Sequence, residues 1–284
     1  MNPPIEQQEI VSTCSPLGLR QLDHWSLVVA VSNDRVLQTN LLASPAIDAR
    51  CQVITKRGFP SASKAYNSGI AEARHEIIVF AHQDVHFPRD WTTNIERALS
   101  RLAVEDPNWG VLGVVGMEKD LQEVTGYCYS TGLQMFVGKP FSRLVEARSL
   151  DEIVLVIRRS SGLTFDEGLP GFHLYGTDIC LEAEKRKLKS YAASAFCIHN
   201  TNGIKSFPMD FWRAYFYLRR KWRGVLPIQT CCTKITRWAG PAMGTIARDF
   251  AHRVLSPRKV GRRWEDPDRL YQVVERERTE LGSQ

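Results

Sequence analysis

Long apolar runs are missing from this 284-residue chain, and none approaches the roughly 18 residues that a membrane-spanning helix needs. The first residues, Met1 to Glu6, also lack the basic and then apolar stretches of a secretion signal. With 43% hydrophobic residues the chain can still bury a large core, so it is a folded protein and not a disordered one. These features predict a protein of the cytoplasm.

The cysteine pattern lacks a CxxC pair. Seven cysteines occur, an odd number, and they are scattered along the chain. Cys197 lies inside an apolar run, and Cys231 and Cys232 are the only neighbours. This pattern fits neither a disulfide framework nor a zinc site, and it predicts reduced thiols that act in part as small core residues.

Acidic residues are scarce in one segment. Residues 205–263 hold 14 lysines and arginines against two acids, so this segment carries +12 and the rest of the chain −6. Such a segment suggests a surface that meets an anionic partner, and a solvated helical face is the simpler alternative. Interleaved arginines and aromatics could follow a nucleic acid, but no nucleic-acid-binding motif accompanies them. We therefore expect no nucleic-acid partner.

Apolar runs alternate with helical patterns in the first third of the chain. Residues 26–31 and the run from 77 to the Asp at 84 are typical of strands buried on both faces, and 51–54 is a shorter strand. Helical spacing occupies 35–43 and about 63–74. This β-α-β-α-β order predicts a parallel sheet with right-handed crossovers, and a ligand site beyond the carboxyl ends of its strands.

The rest of the chain divides into three predicted parts. Residues 1–24 are polar and aperiodic, which predicts a loose N-terminal arm. Residues 25–205 continue the alternation of strands and helices, which predicts an α/β domain with a mostly parallel central sheet flanked by helices. Residues 206–284 are basic and aromatic without strand patterns, which predicts a helical C-terminal appendage.

The strand that begins at residue 77 ends in Asp84-Val85-His86. Side chains at alternate positions of a strand point the same way, so Asp84 and His86 could touch one divalent ion. His199 closes another predicted strand and supplies a third ligand. One carboxylate with two imidazoles suits Mn²⁺ better than an all-oxygen Mg²⁺ cage. The alternatives are a helix cap for Asp84 and a surface histidine for His199; His82 is interpreted as structural or as a support for a ligand.

Several short motifs occur in an order that resembles a known family. They are Ser32-Asn33, Lys64 to Ala71, Phe80 to Val85, Asp151-Glu152, Phe165 to Glu167 and Gly176-Thr177-Asp178. Over about residues 26–205 this order resembles the family 2-like glycosyltransferases of the GT-A fold. It is most similar to the bacterial branch whose strand end reads His-Gln-Asp-Val where most relatives carry Asp-x-Asp.

The resemblance implies a metal-dependent, hexosyltransferase-type enzyme that moves a sugar from a nucleotide-sugar donor to an acceptor hydroxyl, in cell-surface polysaccharide or glycolipid synthesis. Asp84 matches the acid whose metal bridges the donor diphosphate, and His86 stands where the second acid usually lies. Asp-x-His with a later histidine is similar to the polypeptide N-acetylgalactosaminyltransferases, which supports His86 and His199 as ligands. That relative retains configuration whereas family 2 inverts it, so the stereochemistry stays open.

The resemblance also assigns the other site residues. Asp178 matches the acid that opens a helix near the acceptor and acts as the base of an inverting reaction; an ordinary helix cap is the alternative. Asn33 follows the first strand and could touch the nucleoside. Lys64 and Asn67 lie near a helix start and could face ribose or phosphate. Asn67 could equally pack between helix and sheet, and Gln83 is included as a donor-binding residue.

Residues 207–223 predict an amphipathic helix with aromatics on one side and cations at its end. This composition is typical of an interfacial membrane helix, and a lipid-linked or glycan acceptor would then place the enzyme at the anionic inner leaflet. Phe211 and Trp212 could instead pack on the core or on a second subunit.

Two other functions are compatible with this sequence. A nucleotidyltransferase could use a similar sheet, but the first strand is not followed by a glycine-rich, basic phosphate loop. A non-catalytic domain could keep the fold and bind glycans or a protein partner.

Overall fold

A 12-stranded sheet runs through the computed structural model, which describes residues 22–203, 206–255 and 261–282. Its strands are β1 (Trp25–Val31), β2 (Cys51–Arg57), β3 (Ile77–Ala81), β4 (Val85–His86), β5 (Val111–Gly113), β6 (Val115–Glu118), β7 (Val124–Ser130), β8 (Met135–Gly138), β9 (Val145–Leu150), β10 (Val154–Arg158), β11 (Ser190–Ala192) and β12 (Cys197–His199). A separate hairpin pairs β13 (Ile228–Gln229) with β14 (Lys234–Ile235).

Helices flank this sheet. They are α1 (Asp34–Thr39), α2 (Ala62–Glu72), α3 (Trp91–Glu105), α4 (Tyr175–Lys185), α5 (Met209–Lys221), α6 (Gly240–Leu255) and α7 (Pro267–Gly282), with short 3₁₀ helices at Arg159–Ser161 and Arg223–Val225. Within the described ranges, no helix is both long enough and apolar enough to cross a bilayer.

The first three strands form the predicted parallel unit. β1 pairs in parallel with β2 on one side and with β3 on the other. Val28 and Phe80 face one core, together with residues of α2, α4 and α5. Leu27 and Val79 face the opposite core, together with residues of α1 and α3. The apolar runs are continuous because helices cover both faces of these strands.

Antiparallel strands extend the sheet beyond this unit. The strand order is β2-β1-β3-β10-β5-β11-β9-β6-β7-β12-β4, with β8 beside β7. β10 runs antiparallel to both of its neighbours, β3 and β5. The predicted α/β class, with helices on both sides of a central sheet, is confirmed. The sequence did not reveal the antiparallel additions, because buried strands of either direction show the same apolar pattern.

The predicted N-terminal arm falls mostly on residues 1–21, which lie outside the described residues. Leu22, the first described residue, is fully buried beside β1. The predicted boundary near residue 205 likewise lies outside the described residues, because residues 204 and 205 are not described.

The aromatic face of α5 is part of the core. Phe211, Trp212, Tyr215 and Leu218 are all at most 4% exposed, and they pack with residues of α2 and α4. This packing confirms the alternative in which Phe211 and Trp212 fill the core. Because they are buried, these side chains are not available for contact with a bilayer.

The last helix also packs on the sheet. Leu270, Tyr271 and Val274 of α7 form a third apolar cluster with Tyr127 and Phe196 of the sheet domain. The described parts of the C-terminal region therefore contribute to the same cores as the predicted α/β domain.

Replacing Leu218 by Ala is expected to lower the free energy of unfolding by about 2–5 kcal/mol, because it removes a fully buried side chain and leaves a cavity. The matched control is Met209→Ala on the same helix, since Met209 is 61% exposed. Urea denaturation measures both. Equal, small losses would show that α5 does not pack on the core.

Candidate active site

The turn after β3 presents three polar side chains in a row. The chain leaves β3 at Ala81, and the Val85 amide bonds back to the His82 carbonyl at 3.2 Å, which closes the turn. The carbonyl of Asp84 accepts a hydrogen bond from the amide of Asn200 at 2.9 Å. This bond, with the antiparallel pairing of β4 and β12, brings His199 beside the turn.

His82, Asp84 and His199 form a compact group. One ligating atom of each lies within 4.8 Å of the others. The Nε2 atom of His199 is 3.3 Å from Oδ1 of Asp84, and the rings of His82 and His199 meet edge to face with centroids 5.4 Å apart. Asp84 is 7% exposed. We call these three residues the metal-ligand cluster.

The charged groups of the cluster shift one another's pKa values. Burial alone raises the pKa of Asp84, but His199, His82 and Arg263 outweigh burial and hold that pKa well below its usual value. Burial lowers the pKa of His199, but the Asp84 carboxylate outweighs it and raises that pKa. Burial and the neighbouring His199 lower the pKa of His82 to about 4. His82 is therefore neutral near pH 7, which is the form that binds metals.

The donor set fits a divalent cation. One carboxylate and two imidazoles converge from two strand ends, and a borderline cation such as Mn²⁺ prefers this mixture of oxygen and nitrogen ligands. Asp84 and His199 were both predicted as ligands, and the structure brings them together.

The structure does not bring His86 into the cluster. Its ring stacks on Tyr271 of α7 with centroids 3.5 Å apart, and its buried Nδ1 has no hydrogen-bond partner among the described residues. Burial lowers its pKa to about 4. His82 and not His86 lies beside Asp84, because Gln83 and Asp84 occupy a turn, across which the alternation of strand side chains does not hold. The feature of the sequence that could have indicated this pair is the spacing of His82 and Asp84, which are two residues apart.

Substituting the two histidines separates these assignments. His82→Gln is expected to weaken Mn²⁺ binding by at least the roughly 10- to 100-fold that replacing a residue which only supports a ligand costs, because one of the three ligands is lost. His86→Gln makes the matched change two residues beyond Asp84 and should leave the Mn²⁺ dissociation constant unchanged. Isothermal titration of Mn²⁺ measures both variants. Weakening by His86→Gln alone would restore the sequence-based ligand set.

A cavity of about 700 Å³ opens beside the cluster. The ends of β1, β2 and β3 line it, together with the segment that leads into α4; its polar lining includes Ser32, Asp34, Lys56, Arg57, His82, Gln83 and Asp84. Its position beyond the carboxyl ends of three parallel strands is the one predicted for the ligand site.

Gln83 lines this cavity, but its amide is already bonded. Its Oε1 accepts hydrogen bonds from the backbone amides of Ser32 and Asn33, both at 3.0 Å, and its Nε2 donates to Ser32 Oγ at 2.7 Å. Gln83 thus ties the end of β1 to the turn that carries Asp84.

The other predicted donor residues lie outside the cavity lining. The side chain of Asn33 caps α1 by accepting from the Val36 amide. Lys64 is exposed on α2. The Asn67 side chain accepts from the Phe165 amide at 2.8 Å and donates to the Phe165 carbonyl at 2.9 Å, so it fastens α2 to a neighbouring loop, which is a structural role but not the predicted packing between helix and sheet.

The sequence did not reveal several of the cavity residues. Lys56 and Arg57 end β2 and line the cavity, where they pair with Glu72 and Asp34 respectively. The feature that could have identified them is their position at the carboxyl end of a strand, where the ligand site was predicted. Tyr175 was also missed: its hydroxyl bonds Nε2 of His82 at 3.0 Å and so orients that ring.

Asp178 lies in the first turn of α4 and is 1% exposed. Both of its oxygens accept from Lys221 Nζ, at 2.8 and 2.9 Å, and one also accepts from Trp222 Nε1 at 2.7 Å. Burial raises its pKa, and Lys221 opposes that increase. Asp178 does not line the described cavity. Its role as the base stays a prediction, and that role requires the carboxylate to release Lys221.

Comparison with known protein families identifies one family that matches this chain. A family model described as "Glycosyltransferase like family" matches residues 26–213, which is more than half of the chain. A curated relative, "ATP synthase subunits region ORF 6" of Fuscovulum blasticum, is 27% identical over 161 residues. The match takes in 56% of this chain and 64% of that relative, so the chain spans less than two thirds of the relative's length.

Two solved structures show a partial likeness. The mannosyltransferase PcManGT from Pyrobaculum calidifontis, in complex with GDP-Man and Mn²⁺, has 9% identity and a TM-score of 0.43, over 62% of this chain and 56% of that one. TarS of S. aureus has 11% identity and a TM-score of 0.45, over 70% of this chain and 39% of that one.

Proposed function

The chain belongs to this glycosyltransferase-like family, and we propose that it moves a sugar from a nucleotide-sugar donor to an acceptor hydroxyl with the help of a divalent cation. One observation carries the proposal: His82, Asp84 and His199 converge at the edge of the cavity formed by the ends of β1, β2 and β3. A site of this size accommodates a ligand as large as a nucleotide sugar.

The residues of the cavity divide into two groups in this proposal. Lys56 and Arg57 supply positive charge toward an anionic donor. In the structure they form ion pairs with Glu72 and Asp34 respectively. His82, Asp84 and His199 hold the cation, with Mn²⁺ favoured and Mg²⁺ the alternative. Gln83 fixes the turn that carries His82 and Asp84 to the end of β1, because it bonds the backbone amides of Ser32 and Asn33.

The chemistry explains the need for positive charge. Transfer breaks an anomeric C–O bond through an oxocarbenium-like state and leaves a nucleoside diphosphate on which negative charge accumulates. A divalent cation bound at the cluster would neutralise that charge. The neutral imidazole of His82 and the ionised Asp84 are in the protonation state that such binding requires, whereas His199, whose pKa the Asp84 carboxylate raises, would release its proton as the cation binds.

Asp178 is the proposed base of an inverting reaction. Its carboxylate would take the proton of the acceptor hydroxyl as the oxygen attacks the anomeric carbon. Lys221 must then exchange Asp178 for its other partners, Asp166 and Glu182, which already lie 2.7 and 2.9 Å from its Nζ. We further propose a glycan or lipid-linked acceptor, and action from the cytoplasmic face in cell-surface polysaccharide or glycolipid synthesis.

A donor screen tests the proposed function. Purified protein is incubated with Mn²⁺ and a panel of nucleotide sugars, and release of nucleoside diphosphate is measured with and without EDTA. The proposal predicts Mn²⁺-dependent release of diphosphate from one donor class. Pyrophosphate formed from a nucleoside triphosphate and a sugar phosphate would instead identify a nucleotidyltransferase. Ligand binding without turnover would identify a non-catalytic binding domain.

A further inference from the structure

The segment 261–264, between α6 and α7, is fastened across the end of β12. The carbonyl of Gly261 accepts from the Gly203 amide at 2.8 Å. The amide of Arg263 donates to Asn202 Oδ1 at 3.1 Å, and the amide of Trp264 donates to Asn200 Oδ1 at 2.9 Å. These bonds hold the segment against the loop that directly follows His199.

Gly261 shows how closely this segment approaches the sheet. A Cβ atom at position 261 would lie 2.2 Å from the carbonyl oxygen of Thr131 and 2.3 Å from that of Gly132. Any side chain there would push the segment away. The backbone is therefore built for close docking at this point.

The docked segment delivers Arg263 to the metal-ligand cluster. Its Nη2 lies 2.7 Å from Oδ2 of Asp84, and its Nε donates to the carbonyl of Asn200 at 2.9 Å. The two oxygens of Asp84 thus have different partners: Oδ2 is held by Arg263, and Oδ1 faces Nε2 of His199. An ionised carboxylate and a guanidinium at this distance form a strong, directional bond.

We infer that Arg263 is a positioning residue for the metal ligand Asp84, supplied from outside the region that matches the family model. The matched region ends at residue 213. Arg263 does not line the 700 Å³ cavity that Asp84 lines; it borders two other depressions, together with Trp264 and Glu265. It therefore acts through Asp84, by fixing Oδ2 so that Oδ1 is presented beside His199.

This inference rests on the proposed function, because it assigns Asp84 to a cation. It adds that the C-terminal segment completes the site. Residues that hold a metal ligand in place commonly change metal affinity by about 10- to 100-fold when they are replaced.

The test measures Mn²⁺ binding to the full chain without nucleotide, by isothermal titration. Arg263→Gln is expected to weaken binding by about 10- to 100-fold. Arg263→Lys keeps the positive charge but can reach only one of the two acceptors, Asp84 Oδ2 and the Asn200 carbonyl. This variant should therefore bind Mn²⁺ with intermediate affinity. The matched control is Arg262→Gln, since Arg262 is 81% exposed and pairs only with Glu265 among the described residues. It should bind Mn²⁺ like the wild type.

The experiment distinguishes failure of the positioning role of Arg263 from failure of the proposed metal site. If the wild type binds Mn²⁺, Asp84→Asn does not, and Arg263→Gln binds as tightly as the wild type or more tightly, the positioning role is wrong while the proposed function stands. If the wild type and Asp84→Asn bind Mn²⁺ equally or not at all, the proposed metal site is wrong. Circular dichroism and the melting temperature in EDTA check that Arg263→Gln folds. If it does not fold, Arg263→Lys decides, and unchanged affinity in that variant overturns the inference.

Discussion

Replacing Asp84 by Asn is expected to abolish the Mn²⁺-dependent binding of nucleoside diphosphates. Asp84 is the only carboxylate in the described metal-ligand cluster, and an amide cannot supply its negative charge. At a ligand concentration of 100 times the dissociation constant, the wild type gains about 2.7 kcal/mol of stability. A variant that binds 100-fold more weakly gains only about 0.4 kcal/mol under the same conditions. Thermal unfolding with Mn²⁺ and each nucleoside diphosphate measures the gain.

The control for this prediction is Asp48→Asn. Asp48 makes the same kind of charge pair, with Arg50, but it is 44% exposed and lies away from the described cavity. Each variant is compared with its own metal-free state, because Asp84→Asn also leaves Arg263 without its carboxylate partner. A full stability gain in Asp84→Asn would rule out Asp84 as the ligand that joins the cation to the donor.

Replacing Asp178 by Asn is expected to lower kcat by about 10²- to 10⁴-fold, the usual contribution of a general base. Binding of Mn²⁺ and of the donor should not change, because Asp178 lies outside the cavity that receives them. Burial raises the pKa of Asp178, which makes its carboxylate a better proton acceptor once Lys221 has moved. Steady-state kinetics with the donor found by the screen measure the effect.

Asp166→Asn is the matched control for Asp178→Asn. Asp166 accepts from the same Lys221 Nζ, at 2.7 Å, but in the proposed reaction it only holds Lys221 and takes no proton. If Asp178 is the base, Asp178→Asn loses far more turnover than Asp166→Asn, which leaves Glu182 as a partner for Lys221. Equal losses in both variants, or lost stability with retained turnover, would mean that Asp178 only anchors α5 to α4 through Lys221.

The fold could be predicted where a sequence pattern is compatible with only one structure. The continuous apolar runs of β1 and β3 are typical of strands covered on both faces, and the two cores show this covering. The place of α5 was not predictable, because an aromatic face buried in a core and one lying on a membrane have the same sequence pattern. The tertiary structure distinguishes the two cases: Trp212 is only 4% exposed, so the aromatic face of α5 lies in the core.

The site was predictable in part, for a similar reason. Asp84 and His199 follow apolar strands, and strand ends converge at one edge of the sheet. The choice between His82 and His86 depended on the turn that contains Asp84, which is closed by the bond between the Val85 amide and the His82 carbonyl. Arg263 could not be found from the sequence, because it lies 179 residues beyond Asp84 and no local pattern marks its docking.

Pulsed electron paramagnetic resonance of the Mn²⁺-bound protein tests the proposed metal site most directly, since it detects the nitrogen atoms that coordinate the metal. The ligand set His82, Asp84 and His199 predicts two coordinated imidazole nitrogens in the wild type. One of them should be lost in His82→Gln, and neither in His86→Gln. A spectrum without coordinated nitrogen, or the loss of a nitrogen in His86→Gln and not in His82→Gln, would contradict the proposed site.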